Sequence, residues 1–195
     1  AGGLIVGNDA ALGTGDLTVG GASTLDANTV VTLANDIVLN AGLTVLGSND
    51  MTLNGDLSGT GSLTKDGNAT LTLNGTNTYT GGTNINAGTL ALGAGASLAA
   101  SGIVNLATGA TFDLSAGNGT QTFGTLIGNG TVNLGANFLE LGDATDGTFS
   151  GSIGGTGGVI KLGTGTETLT GTNTYTGGTF INEGTLAIGA GGSLS

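Results

Sequence analysis

The chain has 195 residues, of which 43 are glycine, and it contains no proline, cysteine, histidine or tryptophan. Its net charge of −11 includes only two basic residues, which excludes the basic surface that nucleic acids or anionic membranes would need. The charged fraction of 8% would suit a disordered, low-complexity segment, but 37% of the residues are hydrophobic and recur in short alternating runs, which favours a folded chain.

Short strands with a two-residue period are predicted along the whole chain. In each run, two apolar residues flank a small or polar one, which is the pattern of a half-buried strand. Gly, Asn, Asp and Ser separate the runs and suit tight corners. No helix is predicted, because the stretches with helical spacing are rich in Gly and Thr. The predicted strands are Leu71–Leu73, Leu90–Leu92, Val104–Leu106, Phe112–Leu114, Val132–Leu134, Leu139–Leu141, Ile160–Leu162 and Leu186–Ile188.

One long segment of the sequence occurs twice. Residues 75–98 and 171–194 are identical at 20 of 24 positions. Weaker similarity continues upstream of each copy, so that the two repeat cores cover 57–98 and 153–194. Such close copies are expected where one supersecondary unit is stacked on itself.

The flanking sequence extends this pattern. Lys65 and Lys161, the two basic residues of the chain, stand at equivalent positions of the two copies. A third, partial copy covers residues 1–26. We therefore expect residues 1–195 to form a single segment cut from a longer repeat array.

Short strands with frequent Gly corners are compatible with a sandwich, a barrel or a solenoid. The tandem near-identity favours the solenoid, an all-β parallel β-helix in which each coil is hydrogen-bonded to the coils above and below it. At about 20 residues per coil, the chain would hold roughly nine or ten coils. Like residues should then stack on like, with Leu inside and Asn and Thr in ladders.

Glu167 interrupts the similarity of the copies, because the first copy has Leu71 at the equivalent position. A buried carboxylate without a partner costs several kcal/mol. We therefore expect a local shift that turns Glu167 toward solvent, in preference to a buried side chain that meets a partner.

The segment Thr70–Gly93 resembles the passenger-associated transport repeat, also called the autotransporter-associated β-strand repeat. The central string of this family, Asn-Thr-Tyr-Thr-Gly-Gly-Thr, occurs at residues 77–83 and again at 173–179. Gly59-Thr-Gly followed by Lys65 is similar to the family's upstream segment. Glu167 departs from the family pattern, which has an apolar residue or Gly-Thr there.

The resemblance implies a passenger of a Gram-negative autotransporter, exported by type V secretion and folded outside as a right-handed parallel β-helix. The implied partner is a C-terminal β-barrel translocator in the parent protein, beyond Ser195. The implied location is extracellular or at the cell surface. The implied role is a structural stalk that aids export and vectorial folding and presents other modules. The alternative is a self-associating or adhesive β-helix that forms filaments or cell–cell contacts.

Few residues with catalytic chemistry are present. Without His, Cys or Arg, nucleophilic triads and guanidinium clamps are excluded, and the 13 acidic residues are scattered. Asp143 and Asp146 are predicted corner residues in preference to a calcium site, and Lys65 beside Asp66 is predicted to be a solvated surface pair. We predict no enzymatic activity, no catalytic, cofactor-binding or metal-binding residues, and no direct membrane insertion of this segment.

Three further features have structural and functional interpretations. Tyr79 and Tyr175 are predicted to cover corners beside Gly-Gly turns, in preference to acting as exposed recognition aromatics. The Thr-x-Thr pairs of the first repeat are not expected to form an ice-binding array. The Asn-x-Ser/Thr sequences at Asn68, Asn74, Asn118 and Asn129 reflect composition and do not indicate glycosylation.

Overall fold

The chain forms 24 short strands, numbered β1 to β24 in chain order, in a computed structural model that describes residues 2–117 and 119–194. Asn118, in one of the Asn-x-Ser/Thr sequences, lies outside the described residues, as do the terminal residues Ala1 and Ser195 of the predicted segment. All strand pairs found are parallel, and they are arranged in four sheets.

The strands follow one another from sheet to sheet along the chain. The first sheet contains β1 (Gly2–Val6), β3 (Ser23–Ala27), β6 (Leu43–Val45), β9 (Leu63–Lys65), β11 (Thr83–Ile85), β13 (Ile103–Leu106), β16 (Thr125–Gly128), β19 (Gly147–Phe149), β22 (Thr166–Leu169) and β24 (Thr185–Ile188). The second sheet contains β4 (Val31–Leu33), β7 (Met51–Leu53), β10 (Thr70–Leu73), β12 (Thr89–Leu92), β14 (Thr111–Asp113), β17 (Thr131–Asn133) and β20 (Ser152–Gly154).

Two smaller sheets occupy the third position in the order of a coil, and together we call them the third face. One contains β2 (Leu17–Val19), β5 (Ile37–Leu39) and β8 (Leu57–Gly59). The other contains β15 (Thr120–Phe123), β18 (Phe138–Leu141), β21 (Val159–Lys161) and β23 (Thr179–Ile181).

This topology is a three-faced parallel β-solenoid. Paired residues of neighbouring coils are separated by between 18 residues (Thr120 to Phe138) and 22 residues (Ile103 to Thr125). The ten strands of the first sheet therefore correspond to nine steps along the axis. The predicted all-β parallel solenoid is confirmed.

The core is a column of stacked apolar side chains. In most strands the first and third residues of an apolar–polar–apolar triplet are buried and the middle one faces outward, as in Met51–Leu53. Leu73 pairs with Leu53 below and with Leu92 above, so Leu stacks on Leu inside. Outside, the side-chain amide of Asn74 donates to Asn54 Oδ1 at 2.7 Å. Stacking of like residues, inside and outside, is therefore present as predicted.

Corners between faces bring backbone against backbone. The carbonyl oxygen of Ala41 lies directly below Gly61, so any side chain at Gly61 would overlap it. Gly61 is also hydrogen-bonded through its N–H to Leu39 O at 2.7 Å. The requirement here is close approach of two coils, and it explains part of the high glycine content.

The strand over 159–161 differs from the sequence prediction. The predicted run Ile160–Leu162 placed its two apolar residues inside and Lys161 outside. In the structure Val159 and Lys161 face the core, while Ile160 and Leu162 are only partly buried. Val159 and Lys161 lie in one phase of the strand and Ile160 and Leu162 in the other, so both phases contain apolar residues and the two-residue period does not fix the inner face.

Candidate functional site

The string Asn-Thr-Tyr-Thr-Gly-Gly-Thr holds three consecutive coils together through its first residue. Asn77 is buried, and its Oδ1 accepts the backbone N–H of Leu57, one coil below, at 3.1 Å. Its Nδ2 donates to Gly75 O in its own coil and to Ser97 O in the coil above, both at 2.9 Å. A buried amide with both ends paired to backbone acts as a fixed spacer between coils.

The tyrosine of the same string is also buried. The phenol oxygen of Tyr79 lies 2.7 Å from Thr83 Oγ1, across the Gly81–Gly82 corner. Tyr79 is 2% exposed, and burial raises the pKa of its phenol above the usual range. The predicted corner-covering role is therefore correct for Tyr79, and a buried ring is not available as a recognition aromatic.

The second repeat has the same arrangement. Asn173 accepts the N–H of Ile153 at 3.1 Å and donates to Gly171 O and Ser193 O at 3.2 and 3.0 Å. Tyr175 is buried, and its phenol oxygen lies 2.6 Å from Thr179 Oγ1. The string therefore specifies one local structure in both copies.

Lys65 is not a surface residue. Its side chain is fully buried, stacked between Val45 below and Ile85 above. Its Nζ donates to Asp66 O at 2.7 Å, Gly67 O at 2.9 Å and Ala87 O at 3.3 Å. The predicted solvated pair with the Asp66 side chain is wrong, because the ammonium binds backbone carbonyls of two successive corners instead.

Lys161 repeats this contact in the second copy. It is 3% exposed, and its Nζ donates to the carbonyl oxygens of Leu162 and Gly163.

The pKa of Lys65 is lowered by burial, and the nearby Asp66 and Asp50 carboxylates partly oppose this shift. The two basic residues of the chain therefore serve as internal caps of corner carbonyls.

Glu167 is buried, which contradicts the expected shift toward solvent. It is 2% exposed and pairs with Gly147 below and Leu186 above, so its register is the same as that of an apolar core residue. The absence of a side chain at Gly147 makes the space: a methyl group there would lie 2.5 Å from Glu167 Oε2. The core accommodates the carboxyl group because a glycine stands 20 residues earlier.

Most acidic residues lie at corners, as predicted for Asp143 and Asp146, and several bind the next coil. Asp50, Asp56 and Asp146 each accept, through Oδ1, the backbone N–H of the residue 20 positions later, at 2.7 Å. Asp143 Oδ1 accepts the Thr145 N–H within its own corner at 2.7 Å. Glu140 lies on the outer side of β18 and accepts the Thr122 hydroxyl at 2.7 Å.

The threonine pairs do not form one continuous array. On the outer side of the second sheet, Thr72 stacks on Thr52 and Thr32, but Ala91 follows in the next coil. Residues 76–80 instead run along the third face, where the N–H groups of Thr78 and Thr80 donate to Leu57 O and Gly59 O. The threonine column is therefore interrupted after three coils.

Comparison with known proteins agrees with these local structures. The passenger-associated transport repeat family matches residues 63–92 and 159–188. The chain contains two passenger-associated transport repeats. The first runs from β9 to β12 and the second from β21 to β24, so each contains one buried lysine, one buried asparagine and one buried tyrosine.

A curated relative supports the same assignment. The chain is 43% identical over 65 residues to an adhesin of Brucella suis biovar 1 (strain 1330), the BmaC autotransporter. The match covers 33% of this chain and 2% of the relative. No significant match to a solved structure was found.

The two passenger-associated transport repeats begin on different faces of the solenoid. The first begins on the first sheet with β9, whereas the second begins on the third face with β21. The Asn-Thr-Tyr segment of the first repeat continues the third face above β8, and that of the second continues the second sheet above β20. The second repeat is therefore turned by one face about the axis.

Metal sites and membrane-spanning helices were also sought among the described residues. Across 2–117 and 119–194, no group of three or more His, Cys, Asp or Glu side chains is arranged to hold a metal ion. Within the same residues, no helix has the length and apolar character needed to cross a bilayer. The absence of catalytic, cofactor-binding and metal-binding residues remains a prediction.

Proposed function

We propose that this chain is a stalk segment of a secreted or surface-displayed autotransporter passenger, without enzymatic activity of its own. The observation that supports the proposal is that the most characteristic side chains of the repeat form hydrogen bonds to the solenoid itself. Asn77 and Lys65 bind only backbone groups of their own and neighbouring coils, and Tyr79 binds Thr83 in the same corner. The polar groups of these residues thus join coils or close a corner, and they are not available to a ligand.

The composition suits passage through an outer membrane in an unfolded state. A chain without Cys cannot form disulfides in an oxidising compartment. With 8% charged residues, few charged side chains have to lose their hydration during passage. We propose a C-terminal β-barrel translocator in the parent protein as the partner in export. The proposed location is the extracellular space or the cell surface of a Gram-negative bacterium.

Folding outside would then proceed coil by coil. Each coil supplies the row of N–H and C=O groups on which the next one pairs, so stability is close to a sum of nearest-neighbour terms. Asn77 links successive coils, because its amide pairs with Leu57 in the coil below and with Ser97 in the coil above.

Single-molecule force measurement on the 195-residue chain tests this role. With handles at the two ends, relaxation of the force should give partly folded states that differ by about one coil, or about 20 residues, in contour length. A single all-or-none transition for the whole segment would refute templated folding coil by coil.

Adhesion or self-association is the second candidate, and an exposed apolar patch favours it. On the outer side of the third face, the rings of Phe138 and Phe180 lie 6.0 Å apart with Ile160 beside them. Phe180 is 50% exposed and replaces Asn84 of the first repeat. The named relative is an adhesin, which agrees with a contact surface on such passengers.

Light scattering across a range of protein concentrations separates the two candidates. A stalk segment should remain monomeric, and Phe180→Asn, which restores the first-repeat residue, should then change nothing. Concentration-dependent association that is abolished by Phe180→Asn would instead favour the self-associating alternative.

A further inference from the structure

Glu167 contains the one buried side-chain oxygen or nitrogen of the described residues that has no hydrogen-bond partner. Its Oε2 lies 3.4 Å from the backbone nitrogen of Leu126, two coils below, and its Oε1 has no hydrogen-bond partner. A buried carboxylate normally accepts several hydrogen bonds, so an ionised Glu167 is poorly stabilised here. The side chain lies over Gly147, where it shares the space left by the missing side chain with the Thr125 methyl group.

The charged groups around Glu167 do not neutralise it. Asp143 lies in the corner below, where its Oδ1 accepts the Thr125 hydroxyl at 3.1 Å. Lys161 is the last residue of β21, and its ammonium reaches the carbonyls of the corner that precedes β22. Its neighbours along the first sheet, Leu126, Gly147 and Leu186, carry no charge. The Lys161 ammonium is already bound to backbone carbonyls, and Asp143 adds a second negative charge near Glu167.

These surroundings favour the neutral acid. Burial raises the pKa of Glu167 to about 7; the Leu126 N–H and Lys161 oppose the rise, and Asp143 adds to it. An exposed glutamate has a pKa of 4.5. The group therefore changes charge near neutral pH while it is inside a packed core.

We propose that Glu167 makes the second repeat pH-responsive: its coils pack firmly while the carboxyl group is protonated and open locally when it ionises. The sign follows from the bound proton. Because the packed state holds the proton more tightly than the open state, the stabilisation is fully present below pH 4.5 and is lost as pH rises through 7. Between pH 5 and pH 8 the ratio of packed to open coils should fall roughly 70-fold, from the two pKa values.

The response should be confined to the neighbourhood of Glu167. In a solenoid each coil contacts only its neighbours, so a weakened coil loosens the strands above and below it and leaves distant coils packed. β19, β22 and β24 should respond, and β10 should not, because Leu71 occupies the equivalent position there. The first repeat is therefore an internal control within the same molecule.

Hydrogen exchange of the whole chain, read by mass spectrometry from pH 5 to pH 8, tests the proposal. Protection of peptides that contain β22 is divided by the protection of the same peptides in Glu167→Gln, which removes the effect of pH on intrinsic exchange. We expect this ratio to fall by roughly 70-fold across the range, while the ratio for peptides containing β10 stays constant. A ratio for β22 that does not change with pH would overturn the proposal.

A second variant and a second measurement keep the test independent of the amide variant. Glu167→Leu carries the residue that the first repeat has at this place, and its β22 protection should follow that of β10 at every pH. Carbon-13 NMR of the Glu167 carboxyl group should show a midpoint near 7. A midpoint near 4.5 would mean that the carboxyl group is exposed to water, and it too would overturn the proposal.

Discussion

Replacing Asn77 with Ala removes the amide that connects three coils of the first repeat. The backbone N–H of Leu57 loses the acceptor that it has in the native structure, at 3.1 Å. Gly75 O and Ser97 O lose a donor each but keep the backbone donors Ser97 N and Asn77 N, at 3.3 and 2.9 Å. The main loss is therefore one buried, unpaired N–H group.

The expected destabilisation follows from these three bonds. A buried N–H without an acceptor costs about 1–3 kcal/mol, and each of the other two bonds contributes about 0.5–1.5 kcal/mol net. Because both carbonyls keep a donor, we take the lower part of the second range and expect a total of about 2–4 kcal/mol. For a chain of this length, that corresponds to a fall in melting temperature of roughly 5–15 °C.

Urea denaturation followed by circular dichroism measures the change in unfolding free energy, and NMR hydrogen exchange reports the Leu57 amide directly. Asn74→Ala is the matched control, because Asn74 is exposed and its side chain donates only to Asn54. We expect this control to cost less than about 0.5 kcal/mol. Equal losses at the two positions, or an unchanged Leu57 amide in Asn77→Ala, would refute the assigned role of the buried amide.

Three more substitutions have expected outcomes in the same urea assay. Lys65→Met keeps the apolar stem but removes three hydrogen bonds to corner carbonyls, so it should destabilise by about 1–3 kcal/mol; an equal or higher stability would show that burying the charge costs more than its bonds return. Tyr79→Phe loses only the bond to Thr83 and should cost about 1 kcal/mol; no change would argue that the hydroxyl is as well satisfied in the unfolded chain. Gly61→Ala forces a methyl group onto a carbonyl oxygen of the coil below and should destabilise the fold by at least about 1–3 kcal/mol. Gly20→Ala is its control and should leave the stability almost unchanged, because the space around Gly20 is open.

The sequence was sufficient to predict the fold because every coil repeats the same short-range pattern. Strands such as Leu71–Leu73 and Met51–Leu53 have apolar residues only in one phase, so their inner face is unambiguous. The duplication then decided between a solenoid and a sandwich. Neither inference depended on knowing which residues lie one coil away.

The positions of the buried polar residues could be predicted only by knowing which residues lie one coil away. The Ile160-Lys-Leu pattern places Lys161 in solvent, because it puts the two flanking apolar residues inside, but the carbonyls of Leu162 and Gly163 that bind the ammonium belong to the backbone, which a sequence pattern does not display. The cost of a buried carboxylate places Glu167 in solvent, and the glycine that makes room for it is 20 residues away. The Leu63-Thr64-Lys65 run did contain a signal, because its lysine continues the apolar phase.

The candidate site was also predicted only in part from the sequence. The Asn-Thr-Tyr-Thr-Gly-Gly-Thr string was recognisable from sequence, and the corner role of Tyr79 followed from the adjacent Gly pair. The three-coil contact of Asn77 did not, because its partners Leu57 and Ser97 are each 20 residues away in opposite directions. Only the observed register of the coils brings these atoms together.

The one-face rotation between repeats explains how such a string tolerates different surroundings. Asn77 and Asn173 bind backbone groups 20 residues before and after themselves, and backbone groups are presented in the same way on every face. A repeat therefore needs neighbours of the right coil length and does not need a particular face. Its outward residues then point in different directions around the axis: Asn84 lies on the first sheet, whereas its counterpart Phe180 lies on the third face. Variation at that one position can consequently place contact surfaces on different sides of a stalk without altering the contacts that hold its coils together.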